Sequence, residues 1–211
     1  MENERSFILG ERMPKLSDAQ QEERRARILD AAERCFARSG FHRTTMQDIC
    51  KEAGVSPGAL YIWFASKEAL IAGISSRNRD EVLASFSALA NADDFAAGMA
   101  QVLESCILNQ PAEKSVLCLE IGAESTRNPV VAETLTRFDE TVSAALADLL
   151  DMAEREGRIK PSMPTKDLAQ AMHVIADGLF WRRAVQPDFD AKSAGRVLLT
   201  LVAAALSEKR E

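Results

Sequence analysis

The segment SPGALYIWFASKEAL, residues 56–70, concentrates chemistry that the rest of the chain spreads thinly. Tyr61, Trp63 and Phe64 fall within four positions, although the 211-residue chain has only two tryptophans, one tyrosine and nine phenylalanines. A Ser-Pro-Gly break precedes them, and Ser66-Lys67-Glu68 follows. Hydroxyl, aromatic and ammonium groups at this spacing suit three jobs: the wall of an enzyme pocket, a plug for a small core, or a surface that reads nucleic acid. A second set, Glu120, Glu124 and His173, holds the residue types of a carboxylate-bridged metal site in a helical bundle. Such bundles need Glu-x-x-His pairs on facing helices, and neither His42 nor His173 has a glutamate three residues before it. Nucleophile motifs and phosphate-cradling loops are also missing from the sequence. The chain is therefore not expected to be an enzyme or to carry a metal or cofactor.

Charge separates the remaining jobs. The net charge is −6, but residues 1–67 carry eleven Lys/Arg against ten Asp/Glu, so the acidity lies in the rest of the chain. Arg24, Arg25, Arg27, Arg34, Arg38 and Arg43 concentrate the basic charge further. Such asymmetry fits either a nucleic-acid-facing head on an acidic body or a solvated helix face. Apolar content of 46% and charged content of 27% are those of a foldable globular chain. The longest apolar run, VLLTLVAAAL at 197–206, is about half a bilayer span. The opening MENERSFILGER lacks the pattern of a secretory leader, so a cytoplasmic location is expected. Cys35, Cys50, Cys106 and Cys118 are too dispersed for a zinc site. They read as small buried residues, with a Cys106/Cys118 redox pair as the alternative.

The elements that must position these residues are helices throughout, since apolar positions recur at helical spacing and period-two runs are absent. One helix is expected from Asp18 to Ser39, with Ile28, Ala32, Cys35 and Phe36 on a stripe and Gly40 at its end. Thr45 is a natural N-cap for a second, short helix that stops at Gly54. Ser56 and Pro57 open a third, through Leu60 to Phe64. Two short helices joined by a glycine turn form a helix-turn-helix candidate. Longer helices are expected at 67–90, 93–109, 113–126, 129–157, 165–184 and 191–208, the fourth of these opened by Asn128-Pro129. The fold class is all-α, about nine helices. Its expected parts are a flexible tail at 1–20, a three-helix head at 21–66, and a ligand-binding and dimerisation body at 67–211.

Residues 44–70, TTMQDICKEAGVSPGALYIWFASKEAL, resemble the TetR family of bacterial transcriptional regulators. The shared pattern is a threonine, Ile-x-x-x-Ala-Gly-Val-Ser, Leu-Tyr-x-x-Phe and Ser-Lys-Glu-x-Leu, covering the first third of the chain. GAESTRNP at 122–129 and DGLFWRRAVQPDFD at 177–190 resemble stretches of some members but point to no ligand. The resemblance implies a dimeric, non-enzymatic repressor that binds a two-fold symmetric double-stranded DNA operator and is released by a small effector. The implied DNA-facing residues are Arg43, Thr44, Thr45, Ser56, Pro57, Gly58, Ala59, Tyr61, Ile62, Trp63 and Lys67. Among them Thr45, Tyr61 and Lys67 correspond to backbone contacts in the family. Chemistry agrees: Thr44, Thr45, Tyr61 and Lys67 carry donors suited to phosphates, and Ser56, Gly58 and Ala59 are small enough for close approach. Phe64 reads as core; Trp63 reads either as core or as a sugar-phosphate contact. Two departures matter. Ala59 replaces a common Thr or Ser, and Ile62 a common Tyr, so fewer polar groups face the bases. The helix does not spell an operator sequence, and thymine-methyl contact by either Ala59 or Ile62 is the expected substitute. Arg5, Arg12 and Lys15 of the tail either enter the minor groove or stay disordered.

A head this small needs pairing. The surplus apolar surface of the last two helices, at Leu168, Ile175, Leu179, Val197, Leu198, Leu201, Val202 and Ala205, is the expected dimer interface; a fully buried monomer helix is the alternative. The helices between would enclose a pocket for a small, largely apolar effector. Its expected lining is Phe86, Phe95, Met99, Leu103, Cys106, Phe138, Met172 and Phe180, with Glu120, Glu124, His173 and Asp177 as polar groups. Glu120 meets either a ligand or an arginine of the fold, and His173 either a ligand or a core partner. A module that binds protein through its head is the remaining alternative, opposed by the Tyr61 and Lys67 pattern.

Overall fold

The structure, a computed structural model, describes residues 17–207. Among these are nine α-helices and no strand. Ser17 and Gln20 make a reciprocal capping box, so α1 (Asp18–Arg43) starts within the stretch assigned to the tail. The rest of that tail, including Arg5, Arg12 and Lys15, lies outside the described residues. α1 breaks at Gly40, whose φ of 76° favours glycine. A Cβ there would also stand 3.0 Å from the Glu120 carboxylate, so the close approach of that side chain needs the same residue.

α2 (Met46–Ala53) and α3 (Pro57–Trp63) follow, then α4 (Lys67–Ala90). The helix expected at 93–109 is instead α5 (Phe95–Leu103) running into one π-helical turn at Glu104–Leu108. The Arg183 guanidinium reaches across to the Ile107 carbonyl and, at 2.5 Å, to that of Gln110, holding the wider turn in place. α6 (Ala112–Ser125), α7 (Pro129–Arg155), α8 (Thr165–Val185) and α9 (Ala191–Ala205) complete the chain. Asn128 caps α7, its side-chain oxygen accepting from the Val130 amide at 3.2 Å.

Two apolar cores hold these helices. The first joins Ile28, Leu29 and Phe36 of α1 to Ile49, Leu60 and Phe64, and extends to Leu70, Ile71 and Ile74 of α4, Leu117 and Ile121 of α6, and Val131 of α7. The three helices at the front thus share a core with α4, α6 and α7. The second core gathers Phe86, Leu89, Phe95, Met99, Leu146, Leu149, Leu150, Leu168 and Leu206. α4 and α7 run through both, so a shift of either core is felt by the other.

Candidate nucleic-acid interface and ligand cavity

α2, its turn and α3 stand on the first core. Thr45 caps α2: its hydroxyl oxygen accepts from the Asp48 amide at 3.1 Å, and the Asp48 carboxylate accepts from the Thr45 amide at 2.9 Å. These bonds to Thr45 hold the Asp48 carboxyl below its ordinary value. Gly54, at φ 66°, turns the chain, and Ser56 caps α3 by accepting from the Ala59 amide at 3.3 Å. Leu60 and Phe64 point into the core, at 0% and 5% exposure, while Tyr61 and Ile62 stand outward at 53% and 80%. Trp63 is half-buried against the first core. Ser56, Pro57 and Gly58 are exposed and Ala59 partly so; Arg43 is exposed, its Nε donating to the Ser39 carbonyl at 3.0 Å.

Three of the four expected phosphate donors are committed within the fold, among them the Thr45 hydroxyl, which donates to the Asp48 carboxylate at 2.6 Å. Thr44 is buried, and its hydroxyl faces the carbonyls of Gly40 at 2.8 Å and Cys35 at 3.0 Å. It satisfies the last turn of α1 and does not face a phosphate, which corrects the sequence expectation. The Lys67 ammonium donates to the Phe41 carbonyl at 2.5 Å, lies 3.5 Å from the His42 carbonyl and sits 4.3 Å from the Phe41 ring centroid. It clamps the turn after Gly40, leaving one of its three hydrogens for an outside acceptor. Arg34 and Arg38 likewise are not an open basic face: both bind the Glu52 carboxylate, at 2.8 and 3.2 Å, and hold it below its ordinary value.

Glu120 and Glu124 depart furthest from expectation. Neither lines a cavity; both point from α6 toward the end of α1. Glu120 accepts from the Phe41 amide at 3.2 Å. Glu124 is buried and lies 2.8 Å from His42 Nε2 and 2.9 Å from Arg127 Nε, with Asn128 donating to it at 3.3 Å. Burial pushes the Glu124 carboxyl up, but the bonds from Arg127 and Asn128 and the neighbouring His42 outweigh it and hold the group below its ordinary value. The same Asn128 amide reaches Glu68 at 3.3 Å. A sequence shows that the Glu120 charge inside SVLCLEIGA needs a partner; that partner is the Phe41 amide, 79 positions away.

The other side of α6 faces a cavity of about 790 Å³, partly open to solvent and bordered by α4, α5, the π-helical turn, α6, α7, α8 and α9. Phe86, Met99, Leu103, Cys106, Phe138, Met172, His173, Asp177 and Phe180 line it. Phe95 does not: it is buried in the second core beneath the Arg158 guanidinium. The wall also includes Asn78, Glu81, Lys114, Asp139 and Trp181, none of them singled out from the sequence. Asp139 and Trp181 flank residues that were, each one place along a helix from a lining phenylalanine. His173 shares a 2.8 Å hydrogen bond with Ser143 through Nδ1 and lies 3.4 Å from Asp139 through Nε2. The bond to Asp139 holds its pKa above the ordinary value despite burial. Burial raises the Asp177 carboxyl, partly offset by His173. Cys106 and Cys118 both line the wall as free thiols, and burial pushes Cys118 up to about 11, which keeps it unreactive near neutrality.

The expected interface residues divide four ways. Leu168 and Leu179 are buried within the chain, which corrects their assignment to a dimer surface. Ile175, Leu198 and Val202 line the cavity, and Ala205 packs on the second core. Val197 and Leu201 of α9 are 60% and 59% exposed, and Val174, Trp181 and Val185 of α8 are exposed as well.

A three-helix head with an outward-facing second helix of the pair, joined to a helical body that carries a ligand-sized cavity, defines a helix-turn-helix DNA-binding regulator. The chain belongs to the TetR family of bacterial regulatory proteins: residues 28–74 match that family's N-terminal model, and 96–207 match the C-terminal domain of BetI-type transcriptional repressors. The HTH-type transcriptional regulator UidR of Escherichia coli K12 is 36% identical over 141 residues, 67% of this chain and 71% of that protein. The structure of Salmonella enterica GusR superposes with a TM-score of 0.72 at 31% identity, covering 90% of this chain and 98% of that one. A SmeT–triclosan complex shares the fold, with a TM-score of 0.76 at 23% identity over 89% and 93% of the two chains. No helix among the described residues is long and apolar enough to cross a membrane.

Proposed function

We propose that this regulator is a cytoplasmic homodimeric repressor that leaves a two-fold symmetric operator when a small, largely apolar molecule fills the cavity. The observation that carries the proposal is the position of α6. One side of that helix forms cavity wall through Cys118, Leu119 and Gly122, while Glu120 and Glu124 hold the end of α1. A ligand that moves α6 therefore moves the attachment of the head, and a two-state shift needs only different affinities for the two arrangements. The head meets DNA through Arg43, Thr45, Ser56–Ala59, Tyr61 and Ile62, with Trp63 and Lys67 behind them. Val197 and Leu201, with the exposed α8 residues, supply the surface for the second subunit. The cavity is predominantly apolar with a few convergent polar groups, as effector sites are, and its size suits a drug-sized molecule.

Selection of binding sites from a random duplex library, followed by a thermal-shift screen of small apolar compounds, tests this. The expected result is an enriched two-fold symmetric sequence with half-sites one or more helical turns apart. Compounds that raise the melting temperature should weaken operator binding by linkage. Enrichment of no sequence would remove the operator reading; stabilising compounds that leave operator affinity unchanged would remove the release mechanism.

A further inference from the structure

Ile62 is the most exposed large apolar side chain among the described residues, at 80%. It sits two residues from the fully buried Leu60, about 200° around the helix, and so on the outermost line of α3. An isoleucine in that position is unfavourable in water and contributes nothing to the core. We infer that Ile62 reads the C5-methyl group of a thymine in the major groove and makes that base a specificity determinant of each operator half-site. The inference rests on the operator reading above and adds the base chemistry to it.

The surroundings of Ile62 narrow its use. Thr44 is turned inward, the Thr45 hydroxyl hydrogen goes to Asp48 at 2.6 Å, and Lys67 is drawn back to the Phe41 carbonyl. Tyr61, beside it, holds a hydroxyl that suits a phosphate or sugar. The middle of α3's outer face thus carries no fork of donors and acceptors that could grip a guanine or an adenine in the bidentate way base recognition uses. The thymine methyl is the one apolar feature of the major-groove edge. Packing a branched side chain on it removes apolar surface from water on both partners. Packing the same side chain on an adenine, guanine or cytosine edge buries donors or acceptors without partners, which rejects those bases. Ala59, one turn earlier on α3 and only partly exposed, is short enough to let the helix approach while Ile62 makes the contact.

The test uses the full-length chain and the duplex enriched by the selection above. Thymines are replaced one at a time, symmetrically in both half-sites, by deoxyuridine, which removes only the methyl group. Affinities are read by fluorescence anisotropy at constant salt. At one thymine position the wild-type protein should weaken about fourfold per half-site, the value of one buried methyl-sized group. Ile62→Ala should bind the thymine duplex about as weakly as wild type binds the uracil duplex, and should no longer distinguish the two. Ile62→Val should keep most of the discrimination. The exposure of Ile62 means that all three proteins should melt together. Uracil substitution without effect at every position would overturn the inference while leaving the operator reading intact. So would an equal uracil penalty in wild type and Ile62→Ala, or a change in subunit association on Ile62→Ala with unchanged base preference. If no sequence is enriched at all, both readings fail together.

Discussion

The imidazole of His42 and the carboxylate of Glu124 meet at 2.8 Å, although 82 positions separate them. His42 lies in the turn after Gly40 that ends α1, and Glu124 in the last turn of α6, so the pair ties the DNA-facing head to the wall of the cavity. Glu124 is the buried member, and Arg127 and Asn128 complete its hydrogen bonds. Because the folded carboxyl is held below its ordinary value, Glu124 stabilises the fold at neutral pH. That contribution is complete above the ordinary glutamate pKa of about 4.3 and is lost as pH falls through the lower folded value.

Glu124→Gln should therefore lower stability by about 1–3 kcal/mol at pH 7, the usual effect of removing a charge-assisted buried acceptor. The variant should lose stability less steeply than wild type between pH 5 and pH 3. Urea melts at a series of pH values measure both. Parallel pH curves for the two proteins would show that the carboxylate charge is not what holds the joint.

Adjacent threonines should separate structure from binding. Thr44→Val removes a buried hydroxyl from the carbonyls of Cys35 and Gly40 and should lower stability by about 1 kcal/mol. It should leave the affinity of the folded protein for its operator unchanged at constant salt, since the hydroxyl is turned away from any phosphate. Tyr61→Phe removes an exposed hydroxyl, so it should leave the melting temperature alone and weaken binding to all duplexes alike. A loss of operator affinity on Thr44→Val in protein that is still folded would place that side chain at the DNA after all.

His173 gives the opposite pH dependence to Glu124. Its folded pKa is raised by Asp139, so the protonated ring stabilises the fold. The effect is present below the ordinary histidine value of about 6.5 and disappears as pH rises through the folded value. His173→Gln should be destabilised at pH 6 relative to wild type and close to it at pH 9. The midpoint of that change, followed by the His173 ring resonance in NMR, should lie above 6.5.

What could be read before the structure was local. Thr45 with Asp48, Ser56 with Pro57 and Asn128 with Pro129 mark helix starts because a cap acts over two or three residues, and the caps form where these letters stand. Glycine at 40 and 54 signals a positive φ for the same local reason, although only Gly54 takes the left-handed helical conformation, Gly40 being extended in ψ at 164°. The sequence misplaces Glu120 and Glu124 because helical periodicity says which residues share a face and not what lies opposite it. Their partners, Phe41 and His42, enter the contact through tertiary packing alone. Leu168, Ile175 and Leu179 share the apolar stripe of α8, yet the two leucines meet the chain's own core and Ile175 meets the cavity. Whether an apolar face meets its own core, a cavity or solvent depends on how neighbouring helices cross. The π turn at Glu104–Leu108 has no legible signal either, since Arg183 of α8 holds the Ile107 carbonyl from outside.

Val197 and Leu201 lie one turn apart on α9 and are each more than half exposed in the isolated chain. With Val174, Trp181 and Val185 of α8 they leave five large apolar side chains in water. A dimer through this face predicts that Leu201→Glu produces a folded monomer, because the side chain contributes little to the chain's own core and a charge in the centre of an interface is costly. Sedimentation should show the mass halved, while helical content measured by circular dichroism stays the same. Operator affinity should fall far more than any single DNA-facing substitution achieves, since one head engages one half-site and loses the gain of linked binding. The half-site alone should be bound by Leu201→Glu as weakly as by wild type. A variant that remains dimeric with unchanged operator affinity would move the subunit interface to another surface.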